Sequence, residues 1–191
     1  MKAVLISIRP EWCEKILSGE KTVEVRKTRP RLETPFKCYI YCTNSRSSKI
    51  HTVPGNSHQQ MNERIIGWFT CDKVDDIVWT SFSGSVEPPK LCICEEWYKY
   101  RPIDGLLSAS CLRLEELEGY LKGRPGFGWH ISNLHIYPEP VKMKDFWGVK
   151  PCKKPDDCCA CEKWDNEKMD CDMPLPITRP PQSWCYMEDD T

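Results

Sequence analysis

Residues 2 to 27 constrain the fold more than any other stretch, because three periodicities follow one another there with no slack between them. The apolar run Ala3, Val4, Leu5, Ile6 and Ile8 is continuous rather than alternating and is cut short by Arg9 and Pro10, the pattern of a strand buried on both faces. Pro10 suits the first turn of a helix, where a missing N–H costs nothing, and Glu11 places negative charge at the positive end of the dipole. Trp12, Cys13, Ile16 and Leu17 then share one helical face, and Gly19 supplies a left-handed stop. From Glu20 the period falls to two, so Val23 and Val25 face one way while Thr22, Glu24 and Arg26 face the other.

That geometry gathers charge. Arg9 ends the first strand, Lys21 begins the second, and Glu24 and Arg26 project from one face of it, so the four are expected to converge on a single opening beside the helix. The plainer alternative is an ion pair in water between Glu24 and Arg26, worth roughly 0 to 1 kcal/mol.

The combination S-I-R-P, a short helix ending S-G-E-K-T, and V-E-V-R resembles the ASCH family, a PUA-like superfamily of small β-barrels linked to RNA and to modified nucleosides. Two later stretches, IIGWFTCDKV (65–74) and GFGWHISNLHIY (126–137), are similar to the family's later barrel strands, and PITRPPQSWCY extends the likeness toward the C-terminus. The set Gly19, Lys21, Glu24 and Arg26 is its most specific part. The resemblance implies an α+β fold: a PUA-like small mixed β-barrel with two flanking helices.

At 191 residues, 40% of them hydrophobic, the chain suits one well-buried domain with an appendage. The expected division is a barrel over 1–150, a cysteine-rich insertion over 151–173 and a return strand of the barrel over 174–191. No stretch reaches the ~18 to 20 apolar residues that cross a bilayer, and Arg9 and Glu11 interrupt the N-terminus too early for a secretory signal. A soluble cytoplasmic protein with no membrane partner is therefore expected. The formal net charge of −1 hides an asymmetry: residues 1–60 carry 11 Lys/Arg against 5 Asp/Glu, and the remainder 16 against 23. A polyanion would have to meet a local patch in the N-terminal third.

Along the chain, 27–35 (KTRPRLETP) is a basic, Pro-punctuated loop, and 36–42 (FKCYIYC) alternates as a strand with Cys38 and Cys42 directed into the core. The polar loop 43–60 contains Pro-Gly and carries His51 and His58. Residues 64–74 form a further strand, which 75–79 extend, and the Cys92/Cys94 pair is weighted toward packing. A second helix is expected over 108–122, N-capped by Ser110, with Leu112, Leu114, Leu117 and Leu121 turned to the core. In 126–130 (GFGWH), two glycines permit close backbone approach while Trp129 and His130 are presented together. Aromatics beside a titratable group suit a pocket for a flat heterocycle, and buried aromatics are equally ordinary core.

Thirteen cysteines, odd in number and without a signal peptide, argue against a secreted disulfide scaffold. Five lie within 152–171, and Cys158-x-x-Cys161 flanked by Cys152 and Cys171 has the spacing of a tetrahedral structural Zn²⁺ site. Disulfides and an iron–sulfur cluster are the alternatives, and Cys159 can replace either neighbour as a ligand. The segment is too polar to build a core, so a metal would supply its folding free energy.

Three functions follow. The first is a module binding RNA or a modified nucleoside or nucleotide through Arg9, Lys21, Glu24, Arg26, Trp129 and His130. The second is a hydrolase with Lys21, Glu24 and His130 as catalytic residues, acting on RNA or on an N4-acetylcytidine-type nucleoside. The resemblance puts a Thr nucleophile where Glu24 stands, and Thr22 reaches that role only by a register slip. The third is an interaction protein that makes its contacts through the zinc knuckle.

Overall fold

The computed structural model describes residues 2–44, 61–80, 89–96, 99–148 and 175–189. His51, His58 and the expected metal ligands Cys152, Cys158, Cys161 and Cys171, with Cys159, lie outside the described residues.

The strand, helix and strand unit forms as its periodicities dictate. β1 (Lys2–Ile8) is buried from Ala3 onward, α1 (Pro10–Leu17) starts with Pro in its first turn and Glu11 behind it, and Gly19 turns the chain with φ 77°. β2 (Val23–Arg26) follows. The chain continues through β3 (Phe36–Cys42), β4 (Arg64–Cys71), β5 (Val74–Thr80), β6 (Lys90–Glu96), β7 (Lys99–Pro102), α2 (Asp104–Ser110), α3 (Leu114–Leu121), β8 (Gly126–His130), β9 (Ser132–Val141), a 3₁₀ turn (Met143–Asp145), β10 (Trp147–Gly148), β11 (Leu175–Pro176) and β12 (Trp184–Glu188).

Two sheets result, and among the described residues they do not close into the expected barrel. One has the order β11-β10-β12-β1-β3-β4-β9 and the other β2-β8-β5-β6-β7. β1 lies inside the first sheet, antiparallel to β12 and parallel to β3, which is why its apolar run does not alternate. The main core fills the space between the sheets, with Val4, Ile6, Ile8, Cys38, Ile40, Cys42 and Phe69 from one, Trp129 from the other, and Cys13 and Ile16 from α1. A second core packs α2 and α3 through Leu106, Leu117 and Leu121 onto Val23, Val25, Ile77 and Ile93.

Three sequence expectations change. The single helix over 108–122 is two helices, because Cys111 takes a left-handed conformation at φ 56° and ends α2; the described residues therefore hold three α-helices rather than two. Ser110 is not an N-cap: it is the last residue of α2, and Glu116 instead accepts the Arg113 backbone N–H at 2.9 Å to start α3. The strand over 64–74 stops at Cys71, and β5 belongs to the opposite sheet, so the alternation that reads as one ribbon is two strands crossing the core. In β6 the packing falls to Leu91 and Ile93, with Cys92 and Cys94 only half-buried.

The glycines of β8 serve close approach by helices. A Cβ at Gly126 would stand 2.6 Å from Leu121, and one at Gly128 2.7 Å from Leu106. In β4 a Cβ at Gly67 would stand 2.1 Å from the carbonyl oxygen of His135 in β9, backbone that cannot give way locally. Gly67→Ala is therefore expected to lower unfolding stability by about 3 kcal/mol or more. Chemical denaturation measures the loss, and hydrogen exchange should show the amides of β9 deprotected first.

Candidate functional site

The C-terminal end of β1, the whole of β2 and the C-terminal end of α2 meet at one place. The N–H of Lys21 bonds to the Lys15 carbonyl at 2.9 Å as the chain leaves α1, and the N–H of Thr22 bonds to the Ala109 carbonyl at 2.8 Å, which anchors the start of β2 to α2. The alternation of β2 then turns Val23 and Val25 into the helix-covered core and leaves Glu24 and Arg26 on the opposite face.

There the charges are buried. Lys21, Glu24 and Arg26 are 3%, 7% and 8% exposed. The Lys21 Nζ lies 3.2 Å from Glu24 Oε2, and Arg26 Nη2 lies 3.0 Å from Glu24 Oε1. Each cation also donates to a carbonyl: Lys21 to Ser110 at 2.8 Å and Arg26 to Ser7 at 2.6 Å. Ser110 is available because α2 ends there, leaving its last carbonyls without intrahelical donors, and the negative end of the dipole favours an ammonium. The Lys21 Nζ also stands 5.0 Å from the centroid of the Trp12 ring. Two cations share one carboxylate, so the buried chain keeps an excess positive charge, and Arg26 Nε has no hydrogen-bond partner among the described residues.

Above this chain opens a cavity of about 750 Å³, lined by Arg9, Lys21, Glu24 and Arg26 together with the rings of Trp12, Tyr41 and Tyr120, the carboxylates Glu63 and Glu116, and the segment Pro180 to Ser183. The four charged residues singled out in the sequence are thus brought to one place. Arg9 differs from the other three in standing at the mouth, its side chain 76% exposed and 3.8 Å from Glu11.

Trp129 and His130 are not brought there. Trp129 pairs directly with Glu24 and so shares its face of the sheet, but its ring is wholly buried, packed edge-on against Phe36 at 5.8 Å and beside Trp184 at 5.9 Å. It lies in the core, and among the described residues its indole N–H has no partner. His130, one residue on, faces the other side. Its Nε2 is 2.8 Å from Asp75 Oδ2, which also accepts from Arg101 at 2.7 Å, while Lys73 holds Oδ1 at 2.8 Å. Burial acts to raise the Asp75 pKa, but the hydrogen bonds from His130, Lys73 and Arg101 together outweigh it and hold the carboxyl well below the usual carboxylate range.

The aromatic wall comes instead from residues that the sequence offers as something else. Trp12 reads as part of the core-facing stripe of α1, while Tyr41 and Tyr120 sit in the strand over 36–42 and the helix over 108–122 without being singled out there. The Ser7 and Ser110 carbonyls carry no signal in side-chain type at all.

A family model described as the ASCH domain matches residues 6–117. No curated protein matches the chain. Among solved structures, the crystal structure of ASCH from Zymomonas mobilis aligns with a TM-score of 0.52 at 15% identity, covering 98% of this chain and 89% of that one. A serine-to-alanine variant of the Zymomonas mobilis protein aligns at 0.51 and 15%, covering 97% of this chain and 88% of that one. At that identity the structural likeness speaks for the fold.

The Asp75 cluster has a definite sign. A carboxyl whose folded pKa is depressed stabilises the fold above its unfolded value, near ~4, and loses that contribution as pH falls through the folded value. Asp75→Asn is expected to destabilise the protein by about 2 to 3 kcal/mol at neutral pH. Denaturation of both proteins at pH 7 and pH 3 should show the gap narrowing in acid.

Proposed function

Because this chain belongs to the ASCH domain family, we propose that it binds RNA, or a nucleoside or nucleotide carrying a modified base, by taking one base into the cavity above Lys21, Glu24 and Arg26. The observation that carries this reading is the buried Lys21–Glu24–Arg26 chain facing a cavity of about 750 Å³, a volume within the ~300 to 1,000 Å³ typical of small-ligand sites. Along the chain the groups alternate as donor, acceptor and donor, which suits an edge bearing carbonyls on either side of an amine. Trp12, Tyr41 and Tyr120 supply ring faces, and base stacking is worth ~1 to 3 kcal/mol. Three cations, Arg9, Lys21 and Arg26, are matched by three carboxylates, Glu24, Glu63 and Glu116, around the cavity. That balance favours an uncharged base over a polyphosphate as the group taken inside.

Hydrolysis is the second reading, favoured by the 3.2 Å separation of Lys21 Nζ and Glu24 Oε2, a cation beside a potential base. Against it, each Glu24 oxygen already holds a cation, and His130 stands on the opposite face of the sheet, bonded to Asp75. A role for His130 in cleaving RNA held in this cavity has no geometric support.

Titration of RNA oligonucleotides and of N4-acetylcytidine tests the binding reading. Removing a charge-assisted acceptor costs ~1.5 to 3 kcal/mol, so Glu24→Gln is expected to weaken binding about 10- to 100-fold; because the change also leaves two buried cations without their carboxylate, binding is compared at a temperature where circular dichroism shows the variant folded. Unchanged affinity in that variant would defeat the reading. Deacetylation or RNA cleavage by the parent protein, lost in Glu24→Gln, would move the conclusion to hydrolysis.

For the segment outside the described residues, we propose that Cys152, Cys158, Cys161 and Cys171 hold one structural Zn²⁺, on the strength of their spacing. Elemental analysis of the purified protein is expected to give one zinc per chain, and a Cys158→Ser/Cys161→Ser variant to give none. The same double variant, tested for retained partners, separates a structural knuckle from an interaction surface.

A further inference from the structure

We propose that Lys27, Arg29 and Arg31 form a phosphate track along which a single strand of RNA leaves the cavity, so that the base taken inside belongs to a chain. The inference rests on the function proposed above and narrows it.

β2 carries the backbone out of the site. Arg26 points into the cavity, and the next residue, Lys27, is exposed with its Nζ 4.8 Å from the ring of Tyr120, itself a cavity wall. The following loop is fastened to β12 by groups other than its charges. Trp184 Nε1 donates to Thr28 Oγ1 at 3.0 Å, the backbone N–H of Arg31 donates to the Tyr186 hydroxyl at 2.7 Å, and Leu32 packs on the main core. Lys27, Arg29 and Arg31 are exposed, and among the described residues none of them has an ion-pair partner. No acidic residue interrupts them before Glu33.

Thr28 and the Arg31 backbone are tied to β12 while the three charged side chains stay exposed, so the cations are carried on a fastened loop that leaves directly from the cavity wall. Charge is thus divided in two: the cavity is balanced and suits a base, and the surplus lies outside it on a held strip, where phosphates would run. This surplus is the structural counterpart of the basic N-terminal third. An uncharged nucleoside would leave the strip unused.

The test uses the full chain and two probes, a fluorescent eight-nucleotide RNA and N4-acetylcytidine. In Lys27→Gln/Arg29→Gln/Arg31→Gln, whose substitutions are all on the surface, RNA affinity is expected to fall about 10- to 100-fold at 0.1 M salt. Each phosphate contact contributes ~0.7 to the slope of log K against log salt for single strands, so the slope should drop by about 2. Nucleoside affinity should not change. Unaltered RNA affinity and slope in the triple variant would overturn the track, as would equal binding of RNA and nucleoside by the parent protein. Competition by poly-glutamate as effective as that by RNA would overturn the assignment to nucleic acid. Failure of the proposed function is distinct, since there the parent protein binds neither probe.

Discussion

One carboxylate holds this architecture at its seam. Glu24 lies between Lys21 and Arg26 at hydrogen-bonding distance from each, and without it two cations would face one another where water has been largely removed. The cations reach outward in turn, Arg26 to the end of β1 in the seven-stranded sheet and Lys21 to the end of α2 in the helical layer. Glu24 itself belongs to the five-stranded sheet. One ionic chain therefore touches sheet, sheet and helix layer, and the cost of burying it is offset only while every member is present.

The chain also explains why there is an opening at all. Between the sheets, apolar side chains form the main core, with Trp129 packed against Phe36 and Trp184 one strand away from Glu24. Charged groups cannot be covered in that way without leaving donors unmatched, and Arg26 Nε is already such a donor. The core therefore stops at Trp129, and the rings of Trp12, Tyr41 and Tyr120 border a polar cavity in place of sealing it. The same arrangement gives the cavity its character: positively biased at depth, aromatic at the sides, balanced by Glu63 and Glu116, and bordered outside by the basic residues of 27–31.

On the opposite face of the five-stranded sheet, Asp75 gathers His130, Arg101 and Lys73 into a second polar cluster beside the helix-packed core. Adjacent residues of β8 thus serve different layers, Trp129 the main core and His130 this cluster. Nothing in the order Gly-Phe-Gly-Trp-His distinguishes an aromatic directed at a ligand from one directed at a core, because the period of two assigns opposite faces without saying what covers each.

Within β1, α1 and β2 the local rules were sufficient. The apolar run, Pro10 in the first helical turn, the left-handed Gly19 and the alternation of β2 all depend on interactions a few residues long, and they place Lys21, Glu24 and Arg26 on one short segment with Glu24 and Arg26 on the same face. The ASCH family was legible for the same reason, since its most specific residues lie in this unit. Tertiary structure alone decided the remainder: two sheets in place of a barrel, a helix broken at Cys111, β4 and β5 in different sheets, and the tyrosines rather than Trp129 at the cavity. Each depends on a partner distant in sequence, such as the Lys21 side chain meeting the Ser110 carbonyl 89 positions away. No local period encodes which surface will arrive from so far along the chain.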